Sequence, residues 1–192
     1  MHETSMITMR KFVEDHDLAE GKVVVDVGSY DHNGTYRGLF PGSTYIGADI
    51  VGGPNVSVLV GSREWEALKD VDVVISGQTF EHVEDVPTLL KQVHGILKDG
   101  GLLCVIAPSS GPVHSPPWYR IYSAESMTEV VREAGFTVVS CTIDPGWEFH
   151  DCCCIAVKGA VVTRGKEVAA DDNMPVRVIE QPPKRKRASE DI

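Results

Sequence analysis

The sequence has no long apolar run. Among its 192 residues, the longest uninterrupted apolar stretches are residues 102–107 and 152–157, with six residues each. A helix that crosses a membrane needs about 20 apolar residues. The first residues include Glu3 and Glu14 and lack the apolar core of a secretion signal. We therefore expect no membrane partner and a cytoplasmic location.

Basic residues and regularly spaced cysteines are also scarce. The chain has 18 Lys and Arg against 28 Asp and Glu, a net charge of -10. The electric field of a protein with this net negative charge repels the phosphate backbone of nucleic acids, so we do not expect a broad nucleic-acid-binding surface. Three of the five cysteines are adjacent, at Cys152, Cys153 and Cys154, which is not a disulfide framework and fits a reducing compartment. Zinc sites use spaced thiolates such as C-x-x-C, because neighbouring side chains on a strand point to opposite faces. Three adjacent cysteines therefore predict a buried strand and no metal site.

Aromatic residues are absent from the C-terminal segment 161–192. The last aromatic residue is Phe149, and the segment carries a basic run at 184–187. Its net charge is +1, which leaves -11 for residues 1–160. So polar a segment cannot offset its ordering entropy by burial. We predict a folded domain at residues 1–160 and a disordered tail at 161–192, with the basic run either solvated, bound to a polyanion or used as a nuclear signal.

Strand and helix patterns alternate along residues 1–160. β-branched or apolar runs predict strands, and apolar stripes at helical spacing predict helices, the last of them begun by Ser123 and ended by Gly135. Predicted strands are residues 23–28, 44–50, 55–60, 72–76, 101–107, 137–143 and 152–157, and predicted helices are residues 87–97 and 123–134. Met6, Met9, Phe12 and Val13 indicate a further amphipathic helix before the first strand. This order implies an α/β fold whose parallel sheet is covered by helices on both faces. The last two strands have no helix between them, which predicts an antiparallel hairpin.

The turn after the first strand has the composition of a ligand-binding turn. Gly28 would let the backbone turn tightly and approach a ligand without a Cβ in the way. The second strand ends in Asp49, 21 residues after Gly28. In parallel sheets, ligands bind beyond the carboxyl ends of the strands, and an acid at this place can accept hydrogen bonds from both ribose hydroxyls.

Two classes of ligand fit that pairing. A dinucleotide needs G-x-G-x-x-G so that its pyrophosphate can sit on a helix N-terminus, but Tyr30 and Asn33 stand at the later glycine positions. A nicotinamide oxidoreductase is therefore disfavoured. S-adenosylmethionine has a ribose and an adenine but no phosphate, which suits a turn that lacks the phosphate cradle. A third reading is a turn that needs glycine only for its own conformation.

Five segments, in order and at family-like spacing, make the sequence resemble the class I S-adenosylmethionine-dependent methyltransferases. They are residues 23–31, 45–50, 72–76, 80–85 and 96–103, and the resemblance extends over residues 20–158. It implies a Rossmann-like seven-stranded sheet in the order 3-2-1-4-5-7-6, with strand 7 antiparallel and helices on both faces. The turn at residues 28–34 is also similar to a branch that modifies small molecules or surface saccharides.

The resemblance implies S-adenosylmethionine as the cofactor and a set of residues around it. Asp26 would brace the first turn, and Asp49 would hold the ribose. The other implied cofactor-binding residues lie along the methionine, the sulfonium and the adenine: Gly28, Ser29, Tyr30, Ile50, Gly61, Ser62, Gly77 and Gln78. The sequence departs from the family where Tyr30 and His32 replace glycines, and where Gly61 and Ser62 replace an acid that would face the adenine.

Two histidines are candidate catalytic bases. A hydroxyl acceptor must lose its proton during methyl transfer, which calls for a base that titrates near neutral pH, as histidine does. His82, just past the fourth strand, is the first candidate, and its alternative role is to fix the strand end. His114 is the second. Glu81 is expected to point away from His82 and to orient a loop or stay in solvent, because adjacent residues at a strand end diverge.

The loop at residues 108–122 is too long and too aromatic for a plain connection. We predict a lid over the acceptor, with Trp118, Tyr119 and Tyr122 as substrate-binding walls. The alternative is that these aromatic residues pack on the core.

The sequence thus predicts a methyltransferase that modifies a small-molecule acceptor, with oxygen preferred over nitrogen and a saccharide or another biosynthetic intermediate as the acceptor. Two alternatives stay open: a catalytically silent binding module of the same fold, and a methyltransferase that acts on a protein or a nucleic acid. The sequence leaves the oligomeric state open.

Overall fold

The computed structural model describes residues 3–111, 116–144, 150–160, 162–163 and 166–167. The helices are α1 (Glu3–Asp15), α2 (Arg63–Glu66), α3 (Val86–Ile96) and α4 (Ala124–Glu133). The strands of the main sheet are β1 (Glu20–Val27), β2 (Gly42–Asp49), β3 (Val58–Leu59), β4 (Val71–Gly77), β5 (Leu97–Pro108), β6 (Phe136–Ile143) and β7 (Asp151–Lys158). Two 3₁₀ turns, Tyr36–Leu39 and Phe80–His82, follow β1 and β4.

The predicted C-terminal tail contains one short described element. β8 (Val162–Thr163) and β9 (Lys166–Glu167) pair as a two-stranded antiparallel ladder. The basic run at 184–187 and the candidate base His114 lie outside the described residues. Within the described part of the chain, no helix has the length and apolar character for a membrane crossing.

The main sheet has the strand order β3-β2-β1-β4-β5-β7-β6. β7 runs antiparallel to both β5 and β6, whereas the other neighbouring strands pair in parallel. The predicted fold and the predicted C-terminal hairpin are therefore confirmed. The strand order reverses between β1 and β4, so a crevice forms beyond their carboxyl ends.

The apolar residues of β1 divide the core into two layers. Successive side chains of a strand point to opposite faces. Val25 and Val27 pack in the layer that includes residues of α2, α3 and α4, while Val24 packs in the layer that includes α1. Helices therefore cover both faces of the sheet, as the sequence predicted.

Two capped helices fix the loops that border the crevice. The Asp85 side chain accepts a hydrogen bond from the backbone N–H of Thr88 at 3.0 Å, at the start of α3. Ser123 and Ser126 form a reciprocal capping box at the start of α4. Each such cap stabilises its helix by about 1 kcal/mol. The second cap sets the end of the aromatic segment that precedes α4.

The connections on the β1–β2–β3 side are less regular than the sequence patterns indicated. The predicted strand at 55–60 is reduced to β3, because Asn55 has a φ of +67°, a left-handed conformation that interrupts an extended strand. The β1–β2 connection carries a 3₁₀ turn capped by the side chain of Thr35, which accepts from the backbone N–H of Arg37. This connection places its residues over the crevice.

Candidate active site

The turn after β1 lies against the turn after β4. Gly28 has a φ of +82°, and a Cβ on this residue would lie 2.0 Å from Thr79 Oγ1. The backbone N–H groups of Gly28 and Ser29 both donate to the carbonyl oxygen of Ala48, at 2.8 and 3.1 Å. The turn therefore needs glycine both for its conformation and for this close approach, and two hydrogen bonds attach it to β2.

Asp49 joins the first turn to the end of β2. Its Oδ2 accepts a hydrogen bond from the backbone N–H of Tyr30 at 3.1 Å, and its Oδ1 accepts from that of Val51 at 3.2 Å. A carboxylate oxygen can accept more than one hydrogen bond, so both oxygens retain capacity for a further donor. The adjacent Ile50 is 81% exposed. A carboxylate and an open apolar side chain thus stand together, in the places predicted for ribose and adenine.

Gly61 and Ser62 follow β3, on the adenine side of the predicted site. Gly61 has a φ of +79°. Ser62 begins α2, and its Oγ accepts a hydrogen bond from the backbone N–H of Trp65 at 3.2 Å. The oxygen of Ser62, which replaces the acid of the family, is therefore engaged in a helix cap, although its hydroxyl hydrogen can still be donated.

A cavity of about 850 Å³ opens beside the first turn. Small-molecule sites commonly measure about 300–1,000 Å³. Residues that the sequence placed in three separate segments line this one cavity: Asp26, Gly28, Ser29, Tyr30, Gly77, Gln78 and His82. The remaining predicted cofactor residues, Asp49, Ile50, Gly61 and Ser62, are not part of its wall. The predicted site thus divides into an enclosed part and an open part next to it.

Asp26 is a buried acid in the cavity wall, 4% exposed. The hydroxyl of Tyr45 donates a hydrogen bond to its carboxylate. Burial raises the pKa of Asp26 to about 7, against the opposing effect of the Tyr45 hydrogen bond. Asp26 was predicted to brace the turn, but its side-chain hydrogen bond goes to Tyr45 of β2, and the carbonyl of Ala48 holds the turn. Asp26 thus joins β1 to β2 at the cavity wall.

Tyr36 is a cavity residue that the sequence analysis missed. Its side chain is buried, and its hydroxyl shares a hydrogen bond of 2.6 Å with Ser5 Oγ of α1. A Cβ at Gly77 would lie 2.0 Å from the Tyr36 hydroxyl, so glycine at the end of β4 makes room for this ring. The β1–β2 connection has no periodic pattern, so no signal in the sequence places the Tyr36 side chain.

Gln78 holds a conformation that non-glycine residues rarely adopt. Its φ is +57°. Its backbone N–H donates to the carbonyl oxygen of Ile106 at 2.8 Å, and its side-chain Nε2 donates to Asp151 Oδ1 at 2.8 Å. Asp151 is buried and also accepts from Thr4 Oγ1 at 3.2 Å. These bonds maintain a backbone geometry that costs about 1–3 kcal/mol, at the point where the resemblance places the sulfonium.

His82 lies at the far wall of the cavity, in the second 3₁₀ turn. Its Nδ1 is 2.5 Å from the carbonyl oxygen of Pro117. A carbonyl oxygen only accepts, so Nδ1 carries a hydrogen and donates it, and in the neutral ring Nε2 carries the lone pair. The ring also meets the edge of Trp118, with 5.8 Å between centroids. His82 is thus held in one orientation.

Glu81 is buried beside His82, contrary to the expectation that it would face a loop or solvent. Its side chain is 0% exposed, and neither carboxyl oxygen has a hydrogen-bond partner in the described part of the chain. Oε1 lies 3.6 Å from His82 Nε2. Burial raises the pKa of Glu81 to about 7, and repulsion from Asp151 adds to the effect. The prediction failed because a 3₁₀ turn follows β4, and strand alternation does not extend into it.

The described part of the aromatic loop crosses this turn. The backbone N–H of Tyr119 donates to the carbonyl of Glu81 at 2.9 Å, and Pro116 and Pro117 line the cavity. Trp118 is half-buried and Tyr119 is 46% exposed, but neither belongs to the wall of the cavity, so their predicted role as substrate walls stays a prediction. Tyr122 is 4% exposed and packs in the core, which is the alternative the sequence left open.

Comparisons with known proteins agree with the fold. A family model described as a methyltransferase domain matches residues 8–141. No curated protein matches the sequence. Among solved structures, the chain is similar to the Burkholderia thailandensis 1,6-didemethyltoxoflavin-N1-methyltransferase, crystallised with 1,6-didemethyltoxoflavin and S-adenosylhomocysteine, at 22% identity and a TM-score of 0.64, over 81% of this chain and 79% of that chain.

A second similar structure is the magnesium protoporphyrin IX methyltransferase of Synechocystis PCC 6803 with bound S-adenosylmethionine. It has 12% identity and a TM-score of 0.57, over 82% of this chain and 80% of that chain. At these identities the two structures establish the fold.

Proposed function

The chain belongs to the methyltransferase domain family, and we propose that it transfers a methyl group from S-adenosylmethionine to a hydroxyl oxygen of a small polar molecule. S-adenosylmethionine is the cofactor of the class I family to which the fold and the matched domain assign the chain. The observation that carries the proposal is the joining of the first turn, the end of β4 and His82 in one cavity.

The residues present fit the cofactor. Asp49 keeps acceptor capacity on both carboxylate oxygens and suits a ribose diol, and the exposed Ile50 offers an apolar surface for an adenine ring. Gly28 has no Cβ, and this lets the first turn lie directly against Thr79. Gly77 and Gln78 would stand beside the sulfonium. When bound, the cofactor supplies an electrophilic methyl group that needs only an aligned lone pair.

The polar wall of the cavity favours a hydroxylated acceptor. Hydrogen-bonding side chains from the β1–β2 connection face it, among them Asn33, Thr35 and Tyr36. A site whose side chains can hydrogen-bond a substrate hydroxyl discriminates against an analogue that lacks it. The two similar enzymes act on small molecules according to their names, which agrees with a small acceptor. A saccharide or a similar biosynthetic intermediate is the acceptor class that this wall suits.

His82 and Glu81 suit the removal of the acceptor's proton. With Nδ1 donating to Pro117, Nε2 is the atom that takes up a proton. The resulting imidazolium lies 3.6 Å from Glu81 Oε1, whose carboxylate stabilises it. General-base catalysis of this kind accelerates a reaction by about 10²- to 10⁴-fold.

A catalytically silent binding module is the competing hypothesis. It would use the same cofactor residues but would have no use for a histidine held at the cavity wall next to a buried carboxyl group. Structural cores rarely retain a buried carboxyl group without hydrogen bonds, whereas active sites do. Glu81 therefore favours an enzyme over a silent module.

Two assays on the full chain test the proposal. Titration with S-adenosylhomocysteine should give saturable binding, and labelled S-adenosylmethionine should transfer methyl to members of a panel of polyhydroxylated compounds. A matched panel of amine analogues is the control for oxygen preference. Binding without transfer to either panel would favour the silent module, transfer to the amines alone would overturn the oxygen preference, and no binding at millimolar ligand would remove the cofactor site.

A further inference from the structure

The five cysteines lie on three neighbouring strands and form two groups, one on each face of the sheet. Cys104 is on β5, Cys141 on β6, and Cys152, Cys153 and Cys154 on β7. Strand alternation sends Cys152 and Cys154 to the layer that holds α4, with Cys141 packed against that layer, and sends Cys104 and Cys153 to the layer that holds α1. Cys153 therefore lies on the opposite face of the sheet from Cys152 and Cys154, although the three are adjacent in the sequence.

Cys141 contacts both thiols of its group. Its Sγ lies 3.6 Å from Cys152 Sγ, and its backbone is directly opposite Cys154 in the β6–β7 register. A disulfide requires an S–S distance of about 2.05 Å, so the first two sulfurs need to approach by roughly 1.5 Å. Cys152 is opposite Ile143, so Cys141 and Cys152 are a diagonal pair across the β6–β7 ladder. Closing the gap takes side-chain rotation together with a shift of β6, which carries a bulge between Val138 and Ser140.

Only one member of the group is accessible. Cys152 and Cys154 are 0% and 1% exposed, whereas Cys141 is half-buried and lines a surface groove along α4. Within this group, a reagent from solvent therefore meets Cys141 first. Its sulfur is also the better nucleophile, because hydrogen bonds with Cys152 and Cys154 lower the pKa of Cys141.

The groove selects for an uncharged reagent. Its wall carries the carboxylates of Glu125, Glu129 and Glu133 against the single guanidinium of Arg132. Such a wall repels anionic disulfides such as oxidised glutathione, while a neutral peroxide enters without electrostatic cost.

We propose that Cys141 is a peroxide-reactive thiol and that Cys152 resolves its oxidation product into an intramolecular disulfide. The Cys141 thiolate attacks one peroxide oxygen, the O–O bond breaks, and Cys141 becomes a sulfenic acid while water leaves with the thiol's proton. Cys152 then attacks the sulfenic sulfur, the S–S bond forms, and the hydroxyl leaves as a second water with the Cys152 proton. Two thiols and one peroxide yield one disulfide and two waters.

The reduced full-length chain treated with hydrogen peroxide tests this proposal. Trypsin and Asp-N together place Cys104, Cys141 and the Cys152–Cys154 triplet on three different peptides, residues 99–120, 133–143 and 151–158. We expect a chain lighter by two hydrogens, with peptide 133–143 linked to peptide 151–158. A link from residues 99–120, or a glutathione adduct formed more readily than the internal link, would overturn the proposal.

Variants assign the two roles. Cys152→Ser should lose the link and accumulate a sulfenic acid on Cys141 that dimedone traps, whereas Cys153→Ser, on the opposite face of the same strand, should link as the wild type does. A link that survives Cys152→Ser and disappears in Cys154→Ser would overturn the assignment of Cys152. Alkylation of the native wild-type chain with iodoacetamide needs no variant: Cys141 should react first, and prior reaction at Cys153 would contradict the proposal.

Discussion

The two sides of the crevice differ in how their polar groups are satisfied. On the cofactor side, the turn at Gly28 and the carboxylate of Asp49 are held by backbone hydrogen bonds from neighbouring strands and turns. On the side proposed to face the acceptor, at the turn after β4, Glu81 is buried and its carboxyl group has no hydrogen bond within the described residues. Gln78, which leads into this turn from the proposed sulfonium position, has a left-handed backbone. The cofactor side is therefore locally stable, whereas the acceptor side carries unfavourable local free energy.

This difference separates what the fold requires from what the reaction requires. A buried carboxyl group without partners costs about 1–3 kcal/mol or more, and a left-handed non-glycine residue costs a similar amount. The free energy gained by burying the surrounding apolar core exceeds both of these costs. Residues with such unfavourable local free energy cluster at functional sites, where ionisable groups take part in the reaction. Substitutions on the proposed acceptor side should therefore change the rate.

Replacing His82 should have the largest effect. We expect His82→Asn to lower kcat about 10²- to 10⁴-fold, because Nε2 no longer takes up the acceptor's proton, while affinity for S-adenosylhomocysteine stays the same. Steady-state kinetics and titration measure the two quantities. His94→Asn is the control, since that histidine packs on Phe136 away from the cavity. An unchanged kcat in His82→Asn would remove the base from the acceptor side.

Replacing Gly28 should damage the cofactor side itself. Gly28→Ala places a methyl group against Thr79 at a positive φ, whereas Gly100→Ala has a similar φ of +76° but nothing within 4 Å of the new Cβ. Urea unfolding should show a loss of about 1–2 kcal/mol for Gly100→Ala from backbone strain alone. Gly28→Ala should lose about 1–3 kcal/mol more from overpacking, together with cofactor affinity. Equal losses in the two variants would show that the turns do not touch.

Replacing Glu81 should change the pH dependence of stability. Burial raises the pKa of Glu81 from 4.5 to about 7. Between these values the folded chain holds a proton that the unfolded chain has released, so the free energy of unfolding falls as pH rises through this window. Glu81→Gln stays neutral throughout and should gain on the wild type by roughly 3 kcal/mol between pH 4.5 and pH 8.

Asp26 adds a pH dependence of stability with the same sign, because burial raises its pKa to about 7 as well. Glu81→Gln should therefore flatten the curve of unfolding free energy against pH without abolishing its slope. Glu84→Gln, which removes an exposed carboxylate nearby, should change stability by less than about 0.5 kcal/mol. Parallel curves for the wild type and Glu81→Gln would mean that Glu81 is already charged or solvated at neutral pH.

Removing the cap of α4 should have the smallest effect. Ser123→Ala deletes the side chain that accepts from the backbone N–H of Ser126 and should cost about 1 kcal/mol in urea unfolding. Cofactor affinity should not change, because the cap fixes only the end of the aromatic segment on the acceptor side. A marked loss of affinity for S-adenosylhomocysteine would show that the two sides are coupled through α4.

The sequence predicted the positions of Gly28 and Asp49 at the strand ends but not the burial of Glu81, for a physical reason. Strand periodicity fixes where β1 and β2 end, so it also fixes where Gly28 and Asp49 stand. The burial of Glu81 depends on a 3₁₀ turn and on a loop that packs over it, and neither has a periodic signal. Tyr36 was missed because its connection has no pattern, and Tyr122 was assigned to the acceptor although it packs in the core.

The measurement that bears most directly on the cofactor site is calorimetric titration of the wild type and Asp49→Ala with S-adenosylhomocysteine, with circular dichroism to verify the fold. Loss of hydrogen bonds to a charged group predicts binding that is about 10- to 100-fold weaker in Asp49→Ala, with an unchanged spectrum. Equal affinity in the two proteins would contradict the assignment of Asp49 to the ribose, and no binding to either would contradict the cofactor site as a whole.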